Sequence, residues 1–92
     1  MSPEVVLFRS EEKKDRSEVV EFCRTLADKL GQGELTLRAG SEEIHLVFPQ
    51  NVVLELKVEE ETKHGKLKKT FELEIEWYEG DESGTGGEVS IS

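Results

Sequence analysis

Three residues near the middle of the chain carry side chains of the types that bind divalent metal ions: His45, Glu55 and Glu74. An imidazole and two carboxylates suit such a cation, and the strand pairing predicted below places all three in one row of a sheet face. The alternative interpretation is a solvated polar face, because a flat sheet offers no cavity around a metal. We therefore state the metal site as the second of two hypotheses.

A basic cluster, KHGKLKK, follows shortly after. Its basic residues are Lys63, His64, Lys66, Lys68 and Lys69. Such a cluster could bind an acidic partner or a phosphate group. The alternative is that Lys68 and Lys69 pair with Glu61 and Glu60 on the polar face of a hairpin, while the other lysines keep its turn soluble.

Other candidate residues favour architecture over chemistry. Cys23 falls on the apolar stripe of a predicted helix, where a free cysteine behaves as a small hydrophobic residue. As the single cysteine, it rules out an internal disulfide and a cysteine-cluster zinc site. Trp77 is expected to anchor the core. The sequence contains no P-loop, dinucleotide-binding, zinc-protease or serine-hydrolase motif, so we predict no catalytic residue, no cofactor and no enzyme.

The elements that position these residues begin with the stretch from Asn51 to Glu79, which contains two runs of alternating apolar and polar residues. Alternation of this kind is typical of strands with one buried face. A turn centred on His64 and Gly65 pairs residues whose numbers sum to 129. Glycine supplies the positive φ that a tight turn needs, and a slip of one residue would set apolar side chains against glutamates.

The preceding runs, Glu34 to Arg38 and Glu43 to Phe48, also alternate. A turn at Gly40 and Ser41 pairs them as a second hairpin, with a glycine-first turn that suits type II′. A short loop after Phe48 then joins the two hairpins into a meander of four antiparallel strands. The three turn placements agree on one apolar face, which is the strongest structural signal in the sequence.

The remaining elements precede the meander. The run from Glu4 to Arg9 predicts a first strand, paired with one edge of the sheet. Asp15 with Glu18 resembles a capping box, with Ser17 as a rival cap, and opens an amphipathic helix that ends near Leu30. We predict an α+β fold in the order β-α-β-β-β-β. Its five-stranded, mainly antiparallel sheet carries the helix on its inner face.

Composition bounds the function. The chain has 92 residues and a formal charge of −9, which argues against binding nucleic acids or anionic membranes. With no signal peptide or membrane segment in the sequence, we expect a cytoplasmic protein. Residues 1–79 are expected to form a single domain, and residues 80–92, rich in glycine, serine and acidic residues, a disordered tail.

A family resemblance covers roughly residues 4 to 78. The segments EVVLFRSEE, RSEVVEFCRTLADKL and FELEIEW resemble the amphi-Trp domain, a small prokaryotic domain named for an alternating strand that ends in tryptophan. The resemblance implies a self-contained α+β domain, and no activity, substrate or catalytic residue. We therefore expect a small non-enzymatic module with an unidentified protein partner, either monomeric or a weak homodimer through a sheet edge.

Overall fold

The computed structural model describes residues 3–80. It contains one helix and four antiparallel strands, so the α+β class is confirmed. The elements are α1 Arg16–Gln32, β1 Glu34–Ala39, β2 Glu42–Val47, β3 Val53–Lys63 and β4 Lys66–Glu76. The chain divides into two compact units, Met1–Phe48 with α1, β1 and β2, and Pro49–Ser92 with β3 and β4. Within the described part of the chain, no helix is long and apolar enough to cross a membrane.

Helix α1 begins with the predicted capping box. The Asp15 carboxylate accepts a hydrogen bond from the Glu18 backbone N–H at 3.0 Å, and the Glu18 carboxylate accepts one from the Asp15 N–H at 3.1 Å. These bonds satisfy backbone donors that have no partner within the helix. The helix continues through Gly31 and ends at Gly33, whose φ of 87° is left-handed. The predicted end near Leu30 was therefore two residues too early.

The first hairpin, β1–β2, has the predicted register, with Leu37 opposite Ile44 and Leu35 opposite Leu46. Gly40 has a φ of 60°, which suits the first central position of a type II′ turn. Helix α1 contacts β1, and the leucines on the facing sides of both elements are half-buried. The Phe48 N–H donates to the Gly33 carbonyl at 2.8 Å, which ties the end of this hairpin to the end of α1.

The second hairpin, β3–β4, also has the predicted register, from Val53 opposite Glu76 to Lys63 opposite Lys66. Its turn has positive φ at both central residues, 51° at His64 and 73° at Gly65. Positive φ at both positions is the signature of a type I′ turn, whose twist matches that of the flanking strands. The prediction that centred the turn on these two residues is confirmed.

The sheet differs from the prediction. The strands form two separate two-stranded sheets, β1–β2 and β3–β4, and residues 4–9 form no strand. The apolar run Val5-Val6-Leu7 has no alternation, so nothing in it selects one face and one register. Among residues 3–80 no side chain is fully buried. In the second unit the two-stranded sheet supplies one layer, and a core needs a second.

One ion pair lies on the opposite face from the one predicted. Glu60 and Lys69 are register partners, and they fall at the same alternation as Val58 and Phe71. The ion pair therefore shares the apolar face, whereas the neighbouring pair Glu61–Lys68 lies on the polar one. The sequence prediction placed both pairs on the polar face, although strand alternation separates any two consecutive residues.

Candidate functional site

The basic cluster lies at the end of the second hairpin. We call Lys63, His64, Lys66 and Lys68 the lysine tip; all four side chains are exposed. Lys63 ends β3 and Lys66 begins β4, so the type I′ turn sets these two lysines directly opposite each other. Two like charges at opposed strand positions disfavour the hairpin, and the tip therefore concentrates positive charge at a cost in stability.

The lysines of the cluster differ in their partners. Lys69 Nζ lies 3.0 Å from Glu60 Oε1, as the pairing predicted. Lys68 is opposite Glu61 in register. Within the described part of the chain, however, no carboxylate oxygen lies within 4.0 Å of the Lys63, Lys66 or Lys68 ammonium. Of the predicted binding lysines, Lys69 is thus the one whose charge is neutralised by a carboxylate of the same hairpin.

The predicted metal residues are brought together in part. Glu55 and Glu74 are register partners on β3 and β4, and Glu76 lies beside them. A carboxylate oxygen from each of the three lies within 4.8 Å of the other two. We call Glu55, Glu74 and Glu76 the carboxylate cluster. Oxygen ligands of this kind suit hard cations such as Ca²⁺ or Mg²⁺.

Glu76 was not among the metal ligands predicted from the sequence, although its position in the alternating strand places it with Glu74. It stands two residues after Glu74 and therefore on the same face of β4. Dehydration, hydrogen bonding to Glu55 and the negative charge of Glu74 raise the pKa of the Glu76 carboxyl above its usual 4.5. The neighbouring carboxylate of Glu74 therefore adds to the effect of dehydration in disfavouring the ionised form of Glu76.

His45, the third predicted ligand, has partners on its own hairpin. Its Nδ1 is 2.8 Å from the Thr36 hydroxyl, and its Nε2 is 3.3 Å from Glu34 Oε1. Thr36 is also its register partner on β1. Both ring nitrogens are thus within reach of polar atoms of the first unit, and His45 does not join the group of carboxylates.

The polar face of the second hairpin carries a further charged pair. Lys57 Nζ lies 3.3 Å from Glu72 Oε2 across the strands and 3.6 Å from Glu59 Oε1 along β3. Hydrogen bonding to Glu72, followed by the charge of Glu59, raises the pKa of Lys57 above its usual 10.5. The first hairpin repeats the cross-strand pattern, with Arg38 Nε 2.7 Å from Glu43 Oε1.

The two residues expected in a core are less enclosed than predicted. Cys23 is a free, exposed thiol on α1. Trp77 is half-buried and follows the last residue of β4. Helical spacing assigned Cys23 to an apolar face, and strand alternation did the same for Trp77. Neither pattern supplies the layer that would cover these residues.

Comparison with known families agrees with the resemblance based on the alternating strand β4 and the Trp77 that follows it. The sequence model of the Amphi-Trp domain matches residues 1–92, the whole chain. The chain belongs to the Amphi-Trp domain family. The match extends beyond residues 4 to 78, on which the resemblance rested. No curated protein and no solved structure shows significant similarity to this Amphi-Trp domain.

Proposed function

We propose that this Amphi-Trp domain is a non-enzymatic protein-interaction module that binds an acidic protein partner through its lysine tip. One observation carries the proposal. Lys63 and Lys66 face each other beside the turn, and neither has a carboxylate oxygen within 4.0 Å in residues 3–80. A cationic pair that lowers hairpin stability and neutralises nothing nearby is available to an external anion.

The charge of the rest of the chain supports this assignment. The formal net charge is −9, so the lysine tip is a positive site on a negative protein. An acidic partner is repelled by most of the surface and attracted at the tip, which orients its approach. Lysine ammonium groups are point charges on flexible side chains. They are therefore better suited to contact several carboxylates of a peptide than to hold one carboxylate in a fixed bidentate geometry.

The decisive experiment compares two charge reversals of equal size. Lys63→Glu with Lys66→Glu removes the tip, and Arg9→Glu with Lys13→Glu makes the same change in net charge outside the helix and strands. Binding of a polyglutamate peptide is followed through backbone amide shifts, and capture of acidic proteins from a native lysate is followed in parallel.

We expect the tip variant to lose the shifts at residues 62–68 and the control to keep them. Binding should also weaken as salt rises, because exposed charges are screened. Equal losses in both variants would assign the effect to net charge and contradict a site at the tip. Unchanged binding in the tip variant would reject the proposal.

For the fold, we propose that the two hairpins and residues 4–9 form one five-stranded sheet in the functional protein. The support is in the sequence, where a loop of three residues after Phe48 would set Leu46 opposite Leu54 on a common apolar face. Cross-strand nuclear Overhauser effects between the α-protons of β2 and β3 test this pairing. Their absence in the folded protein would contradict it.

Divalent-cation binding is a second candidate function, favoured by the mutual proximity of the carboxylate cluster. Dehydration, hydrogen bonding to Glu55 and the charge of Glu74 raise the pKa of Glu76. A bound cation would offset the last of these causes, the repulsion between like charges. Titration with Mn²⁺ should broaden the signals of Glu55, Glu74 and Glu76 selectively, and Glu76→Gln should weaken the effect.

The control for the cation experiment is Glu61→Gln, which removes one carboxylate from the same face of β3. Simultaneous broadening at His45 would support the set predicted from the sequence, His45, Glu55 and Glu74. Uniform broadening across exposed acidic residues would show nonspecific association and reject a cation site.

A further inference from the structure

The second hairpin exposes a continuous apolar surface. We call it the apolar strip; it consists of the half-buried Ile75 and five exposed residues, Leu54, Leu56, Val58, Phe71 and Leu73. Its members pair across the strands as Leu54–Ile75, Leu56–Leu73 and Val58–Phe71. The two central residues are 57% and 51% exposed, and Val58 and Phe71 are 70% and 68% exposed. A two-stranded hairpin in water is marginal unless such a face is covered.

We propose that a second copy of this chain covers the apolar strip, so that two hairpins pack face to face in a homodimer. This surface is distinct from the lysine tip and from the sheet edges. Two sheets pack with their apolar faces about 10 Å apart and their side chains interdigitated. A two-fold axis through the strip brings each copy's strip against the same strip of the other.

The area of the strip fits this occupant. A large apolar side chain contributes on the order of 100 Å² when it is buried, so the five exposed members of the strip give about 500 Å² per copy. Two copies together bury about 1,000 Å², which is the size of a weak, reversible protein–protein interface. The inference is therefore a reversible dimer whose population depends on concentration.

The length of the strip also favours a second copy over helix α1. From Leu54 to Val58 the strip spans about 13 Å at ~3.3 Å per residue. In α1, Leu26 and Leu30 are already half-buried in the first unit, which leaves Val19, Val20 and Phe22 as the exposed large apolar residues. Those three occupy about 4.5 Å of helix axis, whereas another strip matches the full length.

Polar groups limit the strip at the end nearer the turn. The Glu60–Lys69 ion pair, 3.0 Å long, follows Val58 and Phe71 on the same face. A neutral pair at this point forms a polar rim around an apolar centre, as in ordinary interfaces. The carboxylate cluster lies on the other face, so dimerisation through the strip leaves both it and the lysine tip open to solvent.

Two matched substitutions test the proposal. Leu56→Lys places a charge at the centre of the strip, while Val53→Lys places the same charge on the other face of β3, where its register partner is Glu76. The two positions are equally accessible, with exposures of 57% and 62%. Sedimentation equilibrium over a concentration series measures the dimer dissociation constant of each variant and of the original chain.

We expect the original chain and Val53→Lys to dimerise alike, and Leu56→Lys to have a dissociation constant about tenfold higher or more, as at the centre of other interfaces. Added salt should strengthen dimerisation, because it screens the repulsion between two chains of charge −9. Added salt should weaken peptide binding at the lysine tip, which is the opposite effect. The salt dependence therefore shows which of the two proposals has failed.

A measurement without substitutions keeps the test valid if Leu56→Lys does not fold. In a mixture of isotope-labelled and unlabelled original chains, filtered nuclear Overhauser spectra should show contacts between strip methyl groups of different copies. A chain that stays monomeric throughout the series, with strip methyl groups contacting Val19 or Phe22 of its own helix, would overturn the proposal. Equal weakening by Leu56→Lys and Val53→Lys would also overturn it.

Discussion

Glu60 and Lys69 form a 3.0 Å ion pair on the face of the second hairpin that also carries Val58 and Phe71. On this face, the apolar cross-strand pair Val58–Phe71 is therefore followed by an ion pair. A slip of one residue would still set Lys69 opposite a glutamate, either Glu59 or Glu61. The register that positions the lysine tip is therefore fixed by the apolar alternation and the turn, and this ion pair adds charge compensation at one position.

This pair should contribute a small, measurable coupling energy. Lys69→Glu opposes two glutamates and should lower stability, whereas Glu60→Lys combined with Lys69→Glu restores opposite charges and should recover most of the loss. Because both side chains are more than half exposed, we expect a coupling of about 0.2–1 kcal/mol in a double-mutant cycle. Equal stabilities of the single and double variants would show that the contact does not stabilise the hairpin.

The Asp15 cap should determine how well α1 begins. Asp15→Ala removes the acceptor for the Glu18 N–H and should lower the Tm by roughly 5 °C together with the helical circular dichroism signal. Asp15→Asn keeps an acceptor and should lose less. Asp28→Ala is the control, because it removes an equal charge from the same helix away from its beginning.

The same cap has a pH dependence of known sign. Hydrogen bonding from the Ser17 hydroxyl and then from the Glu18 N–H lowers the pKa of Asp15 below its usual 3.8. The carboxylate therefore stabilises the helix fully above pH 3.8, and this contribution disappears as the pH falls through the lowered pKa. Asp15→Asn should flatten the acid end of the stability curve, and an unchanged curve would contradict the assignment.

Glu76→Gln should stabilise the second hairpin at neutral pH. The raised pKa of Glu76 means that the folded chain binds its proton more tightly than the unfolded chain. Stability contributed by this group therefore falls as the pH rises from 4.5 through the raised pKa, and the cost of the charge is complete above it. Thermal melts at pH 7 should show a higher Tm for Glu76→Gln than for the original chain.

For Glu76 the control is Glu61→Gln on the same face of β3, away from the carboxylate cluster. It should leave the difference between Tm values at pH 4 and pH 7 nearly unchanged. If Glu61→Gln and Glu76→Gln raise the Tm equally, the effect belongs to net charge, and the repulsion among Glu55, Glu74 and Glu76 is not its source.

The turn of the second hairpin offers a comparison of two adjacent residues. Gly65→Ala forces a side chain into a φ of 73°, although an added Cβ meets no atom within 4 Å, so the cost is conformational. We expect a loss of about 1–2 kcal/mol. His64→Asn should raise stability instead, because asparagine adopts positive φ more readily than histidine. Urea unfolding measures both changes, and a neutral Gly65→Ala would contradict the type I′ turn.

The sequence predicts local features of the fold better than contacts between residues that are far apart in the chain. Both hairpin registers and the capping box were predicted, because alternation, turn residues and the Asp15–Glu18 spacing act over a few positions. The predicted pairing of the two hairpins into one sheet was not confirmed, since the loop after Phe48 is compatible with one sheet and does not require it. For the same reason, alternation predicted an apolar face without predicting what covers it.

The candidate sites divide in the same way. The lysine tip and the Glu55–Glu74 pair follow from one hairpin register, and the structure places them as predicted. His45 required a register between the two hairpins, and it has partners on its own hairpin instead. Lys68 lies opposite Glu61 without an ion pair, because two long exposed side chains gain little from being held together.

The end of α1 gives the sharpest comparison, because two nearby glycines should respond to the same substitution with opposite signs. Gly31 is helical, so Gly31→Ala should stabilise the chain by about 0.5–1 kcal/mol through helix propensity. Gly33 has a φ of 87°, so Gly33→Ala should destabilise it by about 1–2 kcal/mol. An added Cβ meets no atom within 4 Å at either site, so the backbone conformation alone decides the sign. Thermal unfolding of the two variants measures both changes in stability. If Gly33→Ala stabilised the chain and Gly31→Ala destabilised it, α1 would end near Leu30 and the assignment of its end to Gly33 would be wrong.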